Sequence, residues 1–156
     1  MLVSSPFGDF TPALNKTTPI ALLSAGVGIT PMISVLNTLA QSKCPRSILF
    51  AHATRHGATH AHIEDVKAAK NKLPGMVMHT FYENPRPHDR LEIDYTQQGR
   101  MRLDPAVITA FSEGFFYLCG PHAFMQVQWK NLIAAGVSPH HIQREVFGPD
   151  LLEQLA

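Results

Sequence analysis

Two glycines and a Thr-Pro pair occur at the spacing of a turn that binds phosphate. The apolar run 20–23 leads to Gly26 and Gly28, and Thr30-Pro31 follows. Because glycine has no side chain, the backbone at Gly26 and Gly28 can approach a pyrophosphate closely. We interpret Thr30 as a helix N-cap and Pro31 as the first helical residue, so that the free amides of the helix start face the anion. The stretch therefore predicts a strand, a turn and a helix around a nucleotide phosphate.

This turn departs from the usual dinucleotide-binding fingerprint. Pro31 follows Thr30 where a third Gly, or an Ala, is expected. A Gly-x-Gly pair also occurs in βα turns that bind no ligand. These residues by themselves leave both a phosphate site and an ordinary α/β turn open.

A cluster of histidines raises the alternative of a metal site. Its members are His52, His56, His60 and His62. Pairs of His at i and i+4 on a helix bind zinc, but Gly57 interrupts the predicted helix and no carboxylate or thiol completes a ligand set. We therefore predict no metal, and we expect His140-His141 to face solvent. Paired catalytic carboxylates, a P-loop and a Gly-x-Ser-x-Gly elbow are not recognisable, which argues against a hydrolase.

The composition is that of one globular domain with no nucleic-acid partner. The 156 residues are 45% hydrophobic and 16% charged, and the net charge of +1 provides no basic surface. Cys44 and Cys119 lie far apart in different contexts, so we expect neither a disulfide nor zinc and predict a cytoplasmic location. No apolar run reaches membrane-spanning length, and no secretory signal is recognisable. We expect no membrane partner, and the oligomeric state is left open.

Strand and helix patterns alternate along the chain. Apolar runs predict strands at 20–23, 47–53, 76–82, 115–119 and 141–147. Three-to-four spacing of apolar residues, with Pro and Gly at the ends, predicts helices at 31–41, 60–72, from 105, and at 121–135. The last helix is expected to turn four side chains to the core: Phe124, Val127, Leu132 and Ile133. The segment 83–99 is expected to be a long surface excursion.

The alternation predicts an α/β fold, a doubly wound and mostly parallel five-stranded sheet with helices on both faces. We assign residues 1–18 to a lead-in, 19–149 to the domain and 150–156 to a tail. Ligands of such sheets bind at the carboxyl ends of the strands. We therefore expect the following segments to converge on one crevice: the Ser24 turn, 53–56, 82–84, 119–121 and Phe147.

Four blocks of sequence carry a resemblance to a known family. They are Gly8-Asp9-Phe10, the stretch 20–32, the stretch 116–121 followed by Phe124-Met125, and the stretch 145–149. With these blocks in this order, the chain resembles the NAD(P)H-binding domain of the ferredoxin-NADP reductase superfamily. It is most similar to the C-terminal reductase portion of flavohaemoglobins, the nitric oxide dioxygenases.

The resemblance implies roles for individual residues. It implies that 26–31 cradle the pyrophosphate, that 119–121 lie beside the nicotinamide, and that Arg55 meets the adenosine ribose or a 2′-phosphate. The implied catalytic residues are Cys119, Glu145 and Phe147, with Phe147 covering the flavin ring. The implied cofactor-binding residues are Ser24, Gly26, Val27, Gly28, Ile29, Thr30, Pro31, His52, Arg55, Tyr82, Cys119, Gly120, Pro121, Phe124, Met125 and Phe147.

The resemblance also implies what must come from elsewhere. Family members place a flavin-binding barrel before this domain, and flavohaemoglobins place a globin before that barrel. Here 6–10 looks like the last edge of such a barrel, so FAD is expected from a missing domain or a partner flavoprotein. A single Arg55 without a second basic residue favours NADH over NADPH. The chain is thus interpreted as the half of an oxidoreductase that passes hydride from NAD(P)H to a flavin. The alternative is a nucleotide-binding module or excised fragment with no turnover of its own.

Overall fold

The computed structural model describes residues 19–42 and 47–146. The strands are β1 (Ile20–Ala25), β2 (Ile48–Thr54), β3 (Met76–Tyr82), β4 (Gln97–Gln98), β5 (Phe115–Gly120) and β6 (Ile142–Val146). The helices are α1 (Ile29–Ser42), α2 (Ile63–Lys72), α3 (Pro105–Ala110) and α4 (His122–Ala134). The predicted lead-in 1–18 and tail 150–156 lie outside the described residues.

All strand pairs are parallel, and the strands follow the order β4-β3-β2-β1-β5-β6. The chain moves from β1 to β2 and β3 on one side, and then returns to β5 on the other side of β1. This change of direction creates a topological switch point between β1 and β5, where doubly wound sheets bind their ligands. The predicted α/β class and doubly wound sheet are confirmed.

The prediction of five strands was one too few. The sixth strand, β4, consists of two exposed glutamines that pair with Phe81 and Tyr82 at the edge of the sheet. A strand of two polar residues has no apolar run and no alternation. Its pairing depends on contacts with β3, which the local pattern does not encode.

Helices cover both faces of the sheet and enclose two apolar clusters. One cluster lies under α1 and α2 and contains Leu22, Phe50, Leu36, Val66 and Tyr117. The other lies under α3 and α4 and contains Leu23, Ala51, Ile108, Leu118 and Leu132. Successive strand residues alternate between the clusters because side chains point to opposite faces of a strand. The sheet is therefore buried on both sides, as parallel sheets usually are.

Two helices begin at other residues than the sequence predicts. Gly26–Gly28 forms a 3-10 turn and α1 follows directly, so Thr30 is inside the first turn and is not the N-cap. Pro31 is tolerated there because the first four amides of a helix have no intrahelical acceptor. A second 3-10 turn at 57–59 delays α2 until Ile63.

The inner face of helix α4 was predicted only in part. Leu132 is buried and Phe124 packs against the same apolar cluster, as expected, but Val127 and Ile133 do not face the core. The buried residues of the helix are Met125, Gln128 and Leu132, while Val127 is 51% and Ile133 37% exposed. The buried Gln128 amide donates a hydrogen bond to the Met101 carbonyl at 3.0 Å. This hydrogen bond satisfies the buried amide, so a polar residue can occupy a core position. A prediction from the spacing of apolar residues alone cannot identify such a position.

The expectation that His141 faces solvent was wrong. Its ring is half-buried and stacks on Phe115, with the ring centroids 5.0 Å apart. Its Nδ1 lies 2.8 Å from the Gly114 carbonyl oxygen. His140 is exposed, as expected.

Candidate functional site

A crevice of about 720 Å³ opens at the carboxyl ends of β1, β2 and β5. This volume is within the usual range for sites that bind cofactors and other small molecules, about 300–1,000 Å³. Its wall residues come from the ends of three strands, the starts of α1 and α4, and three loops. They are Ala25, Gly26, Ile29, Thr30, Ala53, Thr54, Arg55, Thr59, Ala61, Glu83, Arg100, Met101, Pro121, Ala123, Phe124, Val127 and Gln128. The crevice lies at the switch point, where the sequence predicted a binding site.

Gly26 leaves open space in this crevice. Its φ is +55°, a left-handed conformation that favours glycine, and a β-carbon added there would meet no atom within 4 Å. Gly26 begins the 3-10 turn that leads into α1, and the first amides of such a helical stretch have no intrahelical acceptor. A polar group bound against Gly26 would therefore find both room and hydrogen-bond donors.

Gly28 is glycine for another reason. The residue is buried, and a β-carbon would clash with the carbonyl oxygen of Cys119 and lie 2.8 Å from the α-carbon of Gly120. The close approach that Gly28 permits is therefore to the backbone of β5. The two glycines of the turn have separate functions, one open to the crevice and the other in contact with the sheet.

The structure brings only some of the predicted site residues to the crevice. Those that line it are Gly26, Ile29, Thr30, Arg55, Pro121 and Phe124. Those that are buried and do not line it are Ser24, Gly28, Pro31, His52, Tyr82, Cys119, Gly120 and Met125. For Val27 and Glu145 only the backbone is described, in the 3-10 turn and in β6, and Phe147 lies outside the described residues.

Ser24 and His52 form a buried pair on neighbouring strands. The Ser24 hydroxyl lies 2.8 Å from His52 Nδ1, and both residues are at most 1% exposed. Burial, and to a lesser extent the neighbouring His60, lowers the pKa of His52 to about 3, although a backbone hydrogen bond of Ser24 opposes the shift. The His52 ring is therefore neutral at physiological pH.

His60 and Tyr82 form a second pair beside the first. His60 Nδ1 lies 2.8 Å from the Tyr82 hydroxyl, and the His52 and His60 ring centroids are 5.2 Å apart. Burial, together with the charge of Lys67, lowers the pKa of His60 to about 4. Tyr82 stacks on Tyr95, and burial, with Asp89 and Asp94 nearby, raises its pKa to about 12. Both groups are uncharged near pH 7.

Cys119 lies in the core and does not line the crevice. It is fully buried and belongs to the apolar cluster under α1 and α2. The residue that reaches the crevice from this segment is Pro121, at the start of α4. The geometry brings the Cys119 backbone into contact with Gly28 of the glycine turn.

Two charged residues of the crevice, Glu83 and Arg100, were given no role from the sequence. Glu83 lies in the segment 82–84, which was expected at the crevice, whereas Arg100 was not expected there. The Arg100 Nε lies 3.4 Å from Glu83 Oε1. Both belong to the segment around β4, whose long-range pairing with β3 was not predicted. The assumption that Arg55 has no basic neighbour at the site was thus incomplete, since Arg100 lines the same crevice. Val127 was expected to face the core, but it is 51% exposed and lines the crevice.

Three of the four clustered histidines make side-chain hydrogen bonds within the fold. His52 contacts Ser24, His60 contacts Tyr82, and His62 lies 3.0 Å from Asp65. Within 19–42 and 47–146, no group of three or more His, Cys, Asp or Glu side chains is arranged to hold a metal ion. Over the same two ranges, no helix has the length and apolar character needed to cross a bilayer.

Comparison with known proteins finds one matching family profile and relatives that are flavohemoproteins. The sequence profile of the oxidoreductase NAD-binding domain matches residues 22–130. A flavohemoprotein of Bordetella pertussis is 41% identical over 150 residues, which cover 94% of this chain and 37% of that protein. A flavohemoprotein of Bacillus cereus is 38% identical over 148 residues, again 94% of this chain and 37% of that protein. The chain thus spans little more than a third of these relatives.

Solved structures agree with the sequence comparison. The flavohem-like FAD/NAD binding domain of nitric oxide dioxygenase from Vibrio cholerae superposes with a TM-score of 0.72 at 33% identity. The match covers 88% of this chain and 54% of that one. Flavohemoglobin from Malassezia yamatoensis, with bound FAD and heme, superposes with a TM-score of 0.71 at 26% identity, covering 85% of this chain and 32% of that one.

Proposed function

We propose, since this chain belongs to the family of oxidoreductase NAD-binding domains, that the crevice at the switch point binds NAD(P)H for transfer of hydride to a flavin. The observation that carries the proposal is the position of Gly26. It stands at the end of the central strand, before the first amides of α1, with open space where a side chain would be. An extended dinucleotide fits a crevice of this size.

The pyrophosphate is proposed to lie against the 3-10 turn and the start of α1. Amides without intrahelical acceptors and the positive end of the helix dipole both favour an anion there. Thr30 is exposed and lines the crevice, so its hydroxyl is available as a further donor. Gly28 contributes indirectly, because its contact with the β5 backbone fixes the turn.

The nicotinamide is proposed to lie toward Pro121 and Phe124 at the start of α4. A bound nicotinamide supplies the hydride and a flavin accepts it, so the protein supplies position and exclusion of water. The Phe124 ring and Val127 make this wall apolar. Roles for Cys119, Glu145 and Phe147 beside the reacting rings remain proposals from the family resemblance. For Cys119 the buried thiol favours a role through its backbone over direct contact.

NADH is proposed to be preferred over NADPH. Arg55 and Arg100 both line the crevice, but the Glu83 carboxylate lies 3.4 Å from the Arg100 guanidinium. An adjacent carboxylate neutralises the second cation and disfavours a further phosphate, whereas it accepts a hydrogen bond from a ribose hydroxyl.

The flavin is proposed to come from another domain or from a partner flavoprotein. The relatives with 37% coverage are flavohemoproteins, and most of their length has no counterpart in this chain. The alternative is a nucleotide-binding module without turnover of its own, and it is equally compatible with this partial coverage of the relatives. Both require the same crevice, so binding and turnover must be measured separately.

The first experiment tests binding with a matched pair of glycine variants. Gly26→Asn places a side chain in the crevice, and asparagine tolerates left-handed φ better than most residues. Gly136→Asn is the control, because Gly136 also has a positive φ of +98° and open space around it, but does not line the crevice. Calorimetric titration with NAD⁺ is expected to show binding by the wild type and the control and a loss of at least about tenfold in Gly26→Asn. Equal affinities in all three would mean that the nucleotide does not bind at Gly26.

The second experiment separates the two functions. NADH oxidation is followed with FAD, FMN or ferricyanide as acceptor, and with a purified flavin-binding domain of a flavohemoprotein. Turnover that requires the flavin domain supports the oxidoreductase half. Binding without turnover under every condition supports the non-catalytic module.

A further inference from the structure

The segment between β2 and α2 forms one wall of the crevice. Arg55, Thr59 and Ala61 of this segment line the crevice, while His60, between the last two, is only 8% exposed. The His60 ring is directed into the fold. Thr59 and Ala61 thus face the crevice, whereas His60 between them faces the core.

Contacts of the His60 ring connect this wall to two strands. Its Nδ1 lies 2.8 Å from the hydroxyl of Tyr82 in β3, and the two rings meet edge to face at 5.6 Å. Its other ring neighbour is His52 of β2, which is bonded to Ser24 of β1. The ring contacts join the wall to β2 and β3, and the bond from His52 to Ser24 extends this set of buried polar groups to β1.

The segment has few other attachments to the sheet. Its internal bonds close the 3-10 turn, from the Thr59 amide to the His56 carbonyl and from the His60 amide to the Gly57 carbonyl, both at 3.1 Å. The Thr54 and Thr59 hydroxyls lie 2.9 Å apart, and the Gly57 amide donates to Asp89 at 3.3 Å. The Thr54–Thr59 contact is exposed, but the Asp89 side chain is only 4% exposed, so the turn has buried attachments at both His60 and Asp89.

We propose that His60 is a positioning residue for the nucleotide: through Tyr82 and His52 it holds Thr59 and Ala61 at the wall of the crevice. This inference rests on the proposed function of the crevice. It assigns a role in affinity to a side chain that does not touch the ligand. Without the anchor, the wall occupies several positions, and binding must select the competent one.

The test uses two substitutions of His60 by side chains of similar size, one substitution of Tyr82 and one control. His60→Leu removes the ring nitrogen and leaves the Tyr82 hydroxyl without its partner, whereas His60→Asn keeps a polar group near the position of Nδ1. Tyr82→Phe removes the other half of the bond and keeps the ring. Tyr95→Phe is the control, because it removes a hydroxyl from the ring stacked on Tyr82 and leaves the His60 bond in place.

Amide hydrogen exchange and NAD⁺ affinity are measured on the full chain at a temperature where each variant is folded. We expect faster exchange confined to 57–61 and an NAD⁺ dissociation constant about tenfold higher in His60→Leu and Tyr82→Phe. His60→Asn and Tyr95→Phe are expected to stay near wild type. A merely structural role would lower the melting temperature without this local exchange signature.

The outcomes distinguish the two proposals. If the wild type binds NAD⁺ and both His60→Leu and Tyr82→Phe bind it equally well, the positioning role is overturned and the proposed function stands. If the wild type itself does not bind NAD⁺, the proposed function fails and the role of His60 fails with it. If His60→Leu does not fold, Tyr82→Phe decides the result.

Discussion

Lowering the pH from 7 to 5 should destabilise the fold through His52 and His60. Burial lowers the pKa of His52 to about 3 and that of His60 to about 4, from the ordinary value of 6.5. In the unfolded chain both rings return to the ordinary value. Between these pKa values the unfolded state binds more protons than the folded state, so stability falls as the pH drops through 6.5. The loss continues until the pH passes the folded-state values.

The size of the effect follows from the shifts. At pH 5 both histidines are charged in the unfolded chain and mostly neutral in the folded one. Each then lowers the free energy of unfolding by about 2 kcal/mol relative to pH 7, or about 4 kcal/mol together. That sum is a large part of the 5–15 kcal/mol typical of a domain. The rings lie 5.2 Å apart, with Lys67 as a further cation near His60, so two charges here repel and no nearby carboxylate compensates either shift.

Urea unfolding at pH 7 and pH 5 measures this difference. His60→Asn removes one titrating ring, so its loss of stability between the two pH values should be about 2 kcal/mol smaller than in the wild type. His140→Asn is the control, because His140 is exposed. If His60→Asn and the wild type lose the same amount of stability, the burial argument is wrong.

Two further predictions concern the glycine turn and the charged end of the crevice. Gly28→Ala should lower the free energy of unfolding by about 1 to 3 kcal/mol, since its β-carbon clashes with the β5 backbone; urea unfolding measures this, and an unchanged midpoint would contradict the packing argument. Glu83→Gln should raise the affinity for NADPH several-fold relative to NADH, since it frees Arg100 for a 2′-phosphate; calorimetry with both nucleotides checks this, and an unchanged ratio would place the 2′ position elsewhere.

The sequence predicted the parts of the fold that depend on local pattern. The runs at β1, β2 and β5 are apolar because these strands are buried on both faces, and such runs are recognisable without tertiary information. β4 was missed because two glutamines have no such pattern. With β4 missed, the contribution of Arg100 to the crevice, and its ion pair with Glu83, could not be predicted either.

The sequence indicated that both residues of the turn are glycine for a reason, but it did not distinguish the two physical reasons. Gly26 and Gly28 look alike in the sequence, yet one is open to the crevice and the other is required by contact with Cys119 and Gly120. A backbone contact between distant segments has no local signature. For the same reason His60 was considered only as a metal ligand, since its partner Tyr82 lies on another strand.

The contact between Gly28 and β5 has a consequence for protein design. A carbonyl and a glycine from a distant part of the chain lie directly against the turn 26–28 and support it. A loop transplanted with β1 and α1 alone would lose that support. A designer who wishes to build this turn into another scaffold must therefore transfer the end of β5 with it, as one two-piece graft.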